Sequence, residues 1–217
     1  MRIDVRLLTT DALPRHRSRL ERRIFALPFG ESERERLWRL RNEAALRQSL
    51  GARLALLDLI KQRGRASLEI VRSETGKPYF KDGALPAFSI SHSEALCAAV
   101  LCDRADASVG VDVQLVDDRR HTDRIAERFF SPEEQRECAS DTETFFRLWT
   151  QKEAEAKRSG IGLSELLATK RTPSSTDLRT LRIRYRGQTY YVSVAASEPI
   201  TELRVHRNFG MKMMDKR

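Results

Sequence analysis

The stretch AFSISHSEALCAAVLCDRADASVGVDVQLV, residues 87–116, decides the fold. It separates into three extended runs, AFSISH, ALCAAVLCD and SVGVDVQLV, with a short turn after the first and Arg104-Ala105-Asp106 after the second. In the last run Val109, Val111, Val113 and Leu115 share one face of a strand, which puts Gly110, Asp112 and Gln114 together on the other. An acidic side chain inside an apolar strand costs free energy unless it is paired or coordinates a metal. From spacing alone, a solvated strand face and a functional site both remain open.

Outward from this stretch the periodicity changes. RIDVRLL near the start alternates as a strand does. From Ser32 to about Gln62 the residues are helix formers, with Leu37, Leu40, Ala44, Leu50, Leu54 and Leu57 near helical spacing, which predicts one long helix with Gly51 as its weak point. SETGKPYFKDG reads as turns and short extended pieces. HTDRIAERFF predicts a short helix, and Ser131-Pro132-Glu133-Glu134 has the form of a capping box with proline at the first helical position. A second long helix is predicted from about Thr142 to Ser159, stopped by Gly160. LRIRYRG and TYYVSVAAS predict a hairpin around Arg186-Gly187-Gln188. The tail NFGMKMMDKR is expected to be partly disordered. Helix, strands, helix, strands is an α+β order, with two packed halves, 1–106 and 107–217, rather than independent domains.

The 217 residues can bury an adequate core, and their net charge of +9 predicts attraction to something acidic. No apolar run is long enough for a signal peptide or a membrane span, so a cytosolic, membrane-free protein is expected. Cys97, Cys102 and Cys138 lack CxxC spacing and companion histidines, and read as isolated thiols.

Three further features bear on chemistry. Gln114 points the same way as Asp112, and with Glu153 as a second carboxylate the set offers oxygen ligands that suit magnesium. Glu153 and Lys157 are also four apart in the order that makes an ordinary helix-surface ion pair. His92, between Ser91 and Ser93, is placed for a phosphate contact or for a plain strand end, and Lys77 follows Gly76 in a turn. Gly160-Ile161-Gly162 follows a helix rather than a strand, which excludes a dinucleotide fingerprint; no P-loop, GxSxG or HExxH is present.

In their order and spacing, GKPYF, FSISHS, GVDVQ, RFFSPEE and FFRLWTQKEAEAK resemble the successive motifs of the Sfp-type 4′-phosphopantetheinyl transferases, over about residues 76 to 162, with a weaker match in RQSLGARLALLDLI from Arg47. The resemblance implies two similar α/β halves related by a pseudo-twofold, with coenzyme A and magnesium between them. It implies transfer of the phosphopantetheine arm of coenzyme A to a serine of an apo acyl or peptidyl carrier protein, releasing 3′,5′-adenosine diphosphate. Position by position, it implies Asp112 and Glu153 as metal carboxylates with Gln114 where many relatives carry glutamate, Glu153 as general base, and Lys157 on the diphosphate. It also implies Lys77, Ser91, His92, Asp112 and Lys157 as coenzyme A contacts, Arg47 near the adenosine end, and Arg36 as a looser candidate. A monomer is expected by analogy. The rival readings are a basic nucleic-acid-binding module and a carrier-binding relative without turnover; the first lacks a helix-turn-helix or RNP-type motif, and Asp112, Glu153 and Lys157 argue against the second.

Overall fold

Ile3, Val5 and Leu7 alternate with polar residues in β1 (Arg2–Thr9), and that alternation sets the first sheet. A computed structural model describes residues 1–61, 68–83, 85–118, 122–139, 141–161, 165 and 176–209. In it β1 lies between β5 (Leu96–Cys102), antiparallel, and β9 (Glu202–Asn208), parallel, while β4 (Phe88–Ser93) flanks β5. The second sheet runs β6 (Val109–Leu115), β8 (Gln188–Ala196), β7 (Asp177–Tyr185), all antiparallel, and β2 (Ile70–Arg72) with β3 (Pro78–Phe80) forms a separate ribbon.

Both faces of β5 are apolar because both are covered. Cys97, Ala99 and Leu101 face the helices α1 (Arg17–Phe25), α2 (Glu31–Trp38) and α3 (Glu43–Lys61). Leu96, Ala98 and Val100 meet Val109, Val111 and Val113 of β6 and Tyr190, Val192 and Val194 of β8. The far face of the second sheet carries the helices α4 (Thr122–Phe129), α5 (Pro132–Cys138) and α6 (Thr142–Ser159), where Phe130, Phe145, Phe146, Trp149 and Tyr191 form an aromatic core. The layers are therefore helix, sheet, sheet, helix, an α+β architecture.

The single helix expected over 32–62 is two. The chain breaks after α2 and restarts where Asn42 accepts the Ala45 N–H on its side-chain oxygen at 3.0 Å, an N-cap that the leucine spacing conceals. Gln62 lies outside the described residues. Gly51 is no weak point, because a Cβ there would stand 2.6 Å from Cys97 Sγ and keep α3 off β5. β9 is the larger omission of the sequence reading, since TELRVHR pairs with the opposite end of the chain; beyond Phe209 the tail lies outside the described residues. The hairpin, the capping box and α6 stand as expected, the last with Asp141 accepting from the N–H groups of Glu143 and Thr144 and with Gly160 at φ 76°. The three cysteines are free and buried. No described helix is long and apolar enough to cross a membrane.

The RFFSPEE and FFRLWTQKEAEAK segments meet in this frame. Lys152 Nζ lies 2.9 Å from Glu134 Oε2, which also accepts the Ser131 N–H at 2.8 Å, and both side chains are buried. Removing one member of such a pair strands the other charge. Lys152→Met is expected to cost about 3 kcal/mol or more in urea denaturation, and adding Glu134→Gln to recover part of that loss; an additive or neutral result would show that the pair does not fasten α5 to α6.

Candidate active site

β4 and β6 belong to different sheets, and serine hydroxyls join them. Oγ of Ser89, Ser91 and Ser93 accept the backbone N–H groups of Val111, Val113 and Leu115 at 3.1, 3.2 and 3.0 Å. Both series rise by two, so the strands run parallel, splayed by the width of a serine side chain. Asp112 is held in this seam.

Asp112 is 1 % exposed. Its Oδ1 accepts the Ser91 hydroxyl at 2.8 Å and Lys157 Nζ at 2.7 Å, and its Oδ2 accepts the Gln114 amide at 3.2 Å. Lys157 Nζ also donates to Ser91 Oγ at 2.9 Å. Glu153, one turn before Lys157 on α6, is half-buried beside Asp112 and hydrogen-bonded to it, with Trp149 donating from the turn before. Loss of water, and then the Asp112 charge, push the Glu153 carboxyl up to about 8, against a smaller opposing pull from Lys157.

Close approach of α6 to β6 makes this convergence possible. Gly110 lies under the helix, and a Cβ there would collide with the carbonyl oxygen of Ala154 and the backbone nitrogen of Arg158. Gly110 and Asp112 share the strand face that meets α6, so the residue without a side chain lets its neighbour reach Glu153.

A cleft of about 450 Å³ opens over these groups. Ser91, His92, Lys77, Gln114 and Arg36 line it together with Asp112, Glu153 and Lys157. His92 keeps an exposed edge, but the surrounding walls withdraw water, and that, with the charges of Lys157 and Arg53, holds its pKa below the usual imidazole value. Its Nε2 is 3.4 Å from Ser49 Oγ. Lys77 donates to the Arg158 carbonyl at 2.5 Å, capping the end of α6, and burial followed by the Arg158 charge lowers it to about 8. Arg47 stands apart, in a separate pocket with Gln48, Glu94 and Asp117, where it donates to the Arg15 carbonyl at 3.0 Å.

The sequence reading missed an ionic trio behind the wall of this cleft, of which Glu33 and Arg53 are buried and Arg72 partly exposed. Glu33 of α2 bridges Arg53 of α3 and Arg72 of β2, at 2.6 Å to each. Burial raises the Glu33 pKa, but the two guanidiniums outweigh it and leave the carboxyl below its ordinary value. These residues lie 20 and 39 positions apart, a separation that no local pattern signals.

The family model described as the 4′-phosphopantetheinyl transferase superfamily matches residues 108–201, which contain β6 and α6. The chain is 30 % identical over 139 residues to the 4′-phosphopantetheinyl transferase AcpT of Salmonella typhimurium, covering 61 % of this chain and 69 % of that protein. This chain belongs to the 4′-phosphopantetheinyl transferase superfamily. A 4′-phosphopantetheinyl transferase of Bacillus subtilis is 37 % identical over 98 residues, 42 % of this transferase and 41 % of its relative. A protein of Synechocystis named as a putative 4′-phosphopantetheinyl transferase is 32 % identical over 115 residues, 50 % of this transferase and 44 % of its own length.

Proposed function

We propose that this enzyme transfers the 4′-phosphopantetheine arm of coenzyme A to a serine of an apo acyl or peptidyl carrier protein, releasing 3′,5′-adenosine diphosphate, in the cleft between segments 1–106 and 107–217. The observation that carries this reading is the meeting of Asp112 and Glu153, from two elements of the matched region, beside Lys157 in an open cleft. A basic chain of net charge +9 also suits a phosphate-rich donor and an acidic protein acceptor.

In the transfer, the bond from the carrier serine Oγ to the phosphorus forms while the bond from that phosphorus to the bridging oxygen of the diphosphate breaks. Glu153, in its ionised form, accepts the serine proton. Lys157, whose ammonium already sits among Asp112 and Ser91, balances charge that builds on the bridging oxygen as it leaves with 3′,5′-adenosine diphosphate. Ser91 fixes Asp112 and Lys157 with one hydroxyl, while His92 and Lys77 offer donors to the donor's phosphates.

The donor set fits magnesium. Burial, and then the neighbouring Asp112 charge, favour the protonated form of Glu153, a cost that a divalent cation between the two carboxyls would offset. Among the described residues no group of three His, Cys, Asp or Glu side chains could hold a metal, so two carboxylates and the Gln114 amide would hold the ion with water and substrate oxygens completing its shell. When bound, magnesium supplies electrostatic stabilisation of the diphosphate oxygens. Gln114 presents its carbonyl oxygen after a half-turn about its last bond, but as a neutral ligand. Gln114→Glu is therefore expected to tighten magnesium binding, on the order of tenfold, read by thermal shift against metal concentration; unchanged or looser binding would remove Gln114 from the ligand set.

The activity is tested by incubating the protein with coenzyme A, magnesium and a panel of apo carrier proteins, and weighing the carriers intact. The expected result is one phosphopantetheine arm added at the acceptor serine. Coenzyme A binding without mass gain on any carrier would leave a binding protein rather than a transferase.

A further inference from the structure

A row of polar side chains crosses the second sheet beneath α6. Thr180 of β7 is paired with Ser193 of β8, and Ser193 with Asp112 of β6, so the three stand side by side on one face, from one edge strand to the other. Ser193 is fully buried, and a buried hydroxyl costs free energy unless it is hydrogen-bonded. Its Oγ lies 3.0 Å from Thr180 Oγ1, which accepts the side-chain amide of Gln151 on α6 at 3.0 Å. Gln151, Thr180 and Ser193 stand outside the lining of the cleft, and the transfer described above gives them no task.

α6 sits astride this row. Glu153 meets Asp112 at one end of it, and Gln151 meets Thr180 at the other. Two residues along a helix turn through about 200°, so these two side chains leave opposite flanks. Between them the helix backbone rests directly on Gly110, with no side chain interposed. A helix seated in this way can still roll about its own axis, and a bond on one flank then sets how far the other flank reaches. A roll of about 10° carries a side-chain tip about 6 Å from the axis through about 1 Å. Misplacing a reacting group by about that much costs on the order of 10²-fold in rate. The first turn of α6 has its own tie, Glu143 to Arg182 of β7 at 2.6 Å. That tie is about 12 Å from Gln151 along the helix axis.

We propose that Gln151 and Thr180, backed by Ser193, are positioning residues whose hydrogen bond sets the roll of α6 and thereby the approach of Glu153 to Asp112. This rests on the reading of those two carboxyls as the metal-binding and proton-accepting pair. Gln151 and Thr180 act through Glu153, from the opposite flank of the helix.

Steady-state kinetics with coenzyme A and an apo carrier protein, joined to magnesium-dependent thermal shift of the full-length protein, test it. Thr180→Val exchanges the hydroxyl for a methyl of nearly the same size, and Gln151→Met removes the amide at nearly the same length. Each is expected to lower kcat on the order of 10- to 100-fold, with KM for coenzyme A held within about twofold. Each is also expected to raise the magnesium midpoint of the thermal shift on the order of tenfold. Because both changes cut one bond, the double variant is expected to be no worse than the poorer single one. Thr180→Ser, which keeps the hydroxyl, is expected to stay close to wild type. Arg182→Met cuts the tie of the first turn and is the control for general loosening, expected to lower stability while kcat and the magnesium midpoint stay near wild type. Unchanged kcat and midpoint in Thr180→Val and Gln151→Met, a loss in Thr180→Ser equal to that in Thr180→Val, or an equal fall in Arg182→Met overturns the assignment. Wild type that adds no phosphopantetheine arm to any carrier overturns the transferase reading instead, and the magnesium midpoints still judge the positioning.

Discussion

Glu153→Gln is expected to abolish most turnover while leaving the protein folded. The amide keeps the shape of the carboxyl and its place one turn from Trp149, but it cannot accept the serine proton, and a positioned base is worth on the order of 10²- to 10⁴-fold. Burial and Asp112 hold this carboxyl near 8 instead of its ordinary 4.5, so the folded chain retains a proton there that the unfolded chain releases. Between about 4.5 and about 8 the folded state thus binds more protons, and stability contributed by this group falls as pH rises through that window. With a chelator present, thermal unfolding of the wild type should show that decline, and Glu153→Gln should lose it. Turnover within a few-fold of wild type in the variant would dismiss Glu153 as the base, and identical pH profiles would dismiss its elevated pKa.

Gly110→Ala is expected to be the most damaging glycine-to-alanine change among the described residues. Adding one methyl to a strand residue is usually mild, yet here the methyl must enter the backbone of α6 at Ala154 and Arg158, and backbone cannot rotate away as a flexible side chain can. Overpacking typically costs about 1–3 kcal/mol, and a clash with backbone puts this site at the upper end of that range. If the fold survives, α6 must lift from β6 and carry Glu153 and Lys157 away from Asp112, and a shift of about 1 Å costs on the order of 10²-fold in rate. Gly83→Ala is the matched control, because nothing lies within 4 Å of its Cβ position. Urea denaturation and carrier mass shift, measured on both, check this. A Gly110→Ala protein as stable and active as Gly83→Ala would show that the close approach is dispensable.

Much of the site was legible because its main residues lie on regular elements. Alternation placed Asp112 and Gln114 on one face of β6, and helical spacing placed Glu153 and Lys157 on one face of α6. Their meeting could not be derived from either element alone; it came from the order of motifs, with Gly110 as an unread hint. The serines of FSISHS carried a double meaning. Beside His92, Ser91 and Ser93 suggested phosphate contacts, whereas Ser93, like Ser89, accepts from the β6 backbone, and this lateral join links strands that are not paired with each other in either sheet. The Glu33, Arg53 and Arg72 trio was unreadable for a related reason. Ionic residues are common in this chain, and which of them become buried partners is decided by how α2, α3 and β2 pack.

The parallel pairing of β1 with β9 joins segments some two hundred residues apart, with Arg2 opposite Glu202. During synthesis β1 emerges well before β9 and must wait for it before its open side is covered, and contacts between such remote segments form slowly. A shortened gene product ending before β9 would display a bare strand edge that carries Ile3, Val5 and Leu7, a template for self-association during expression.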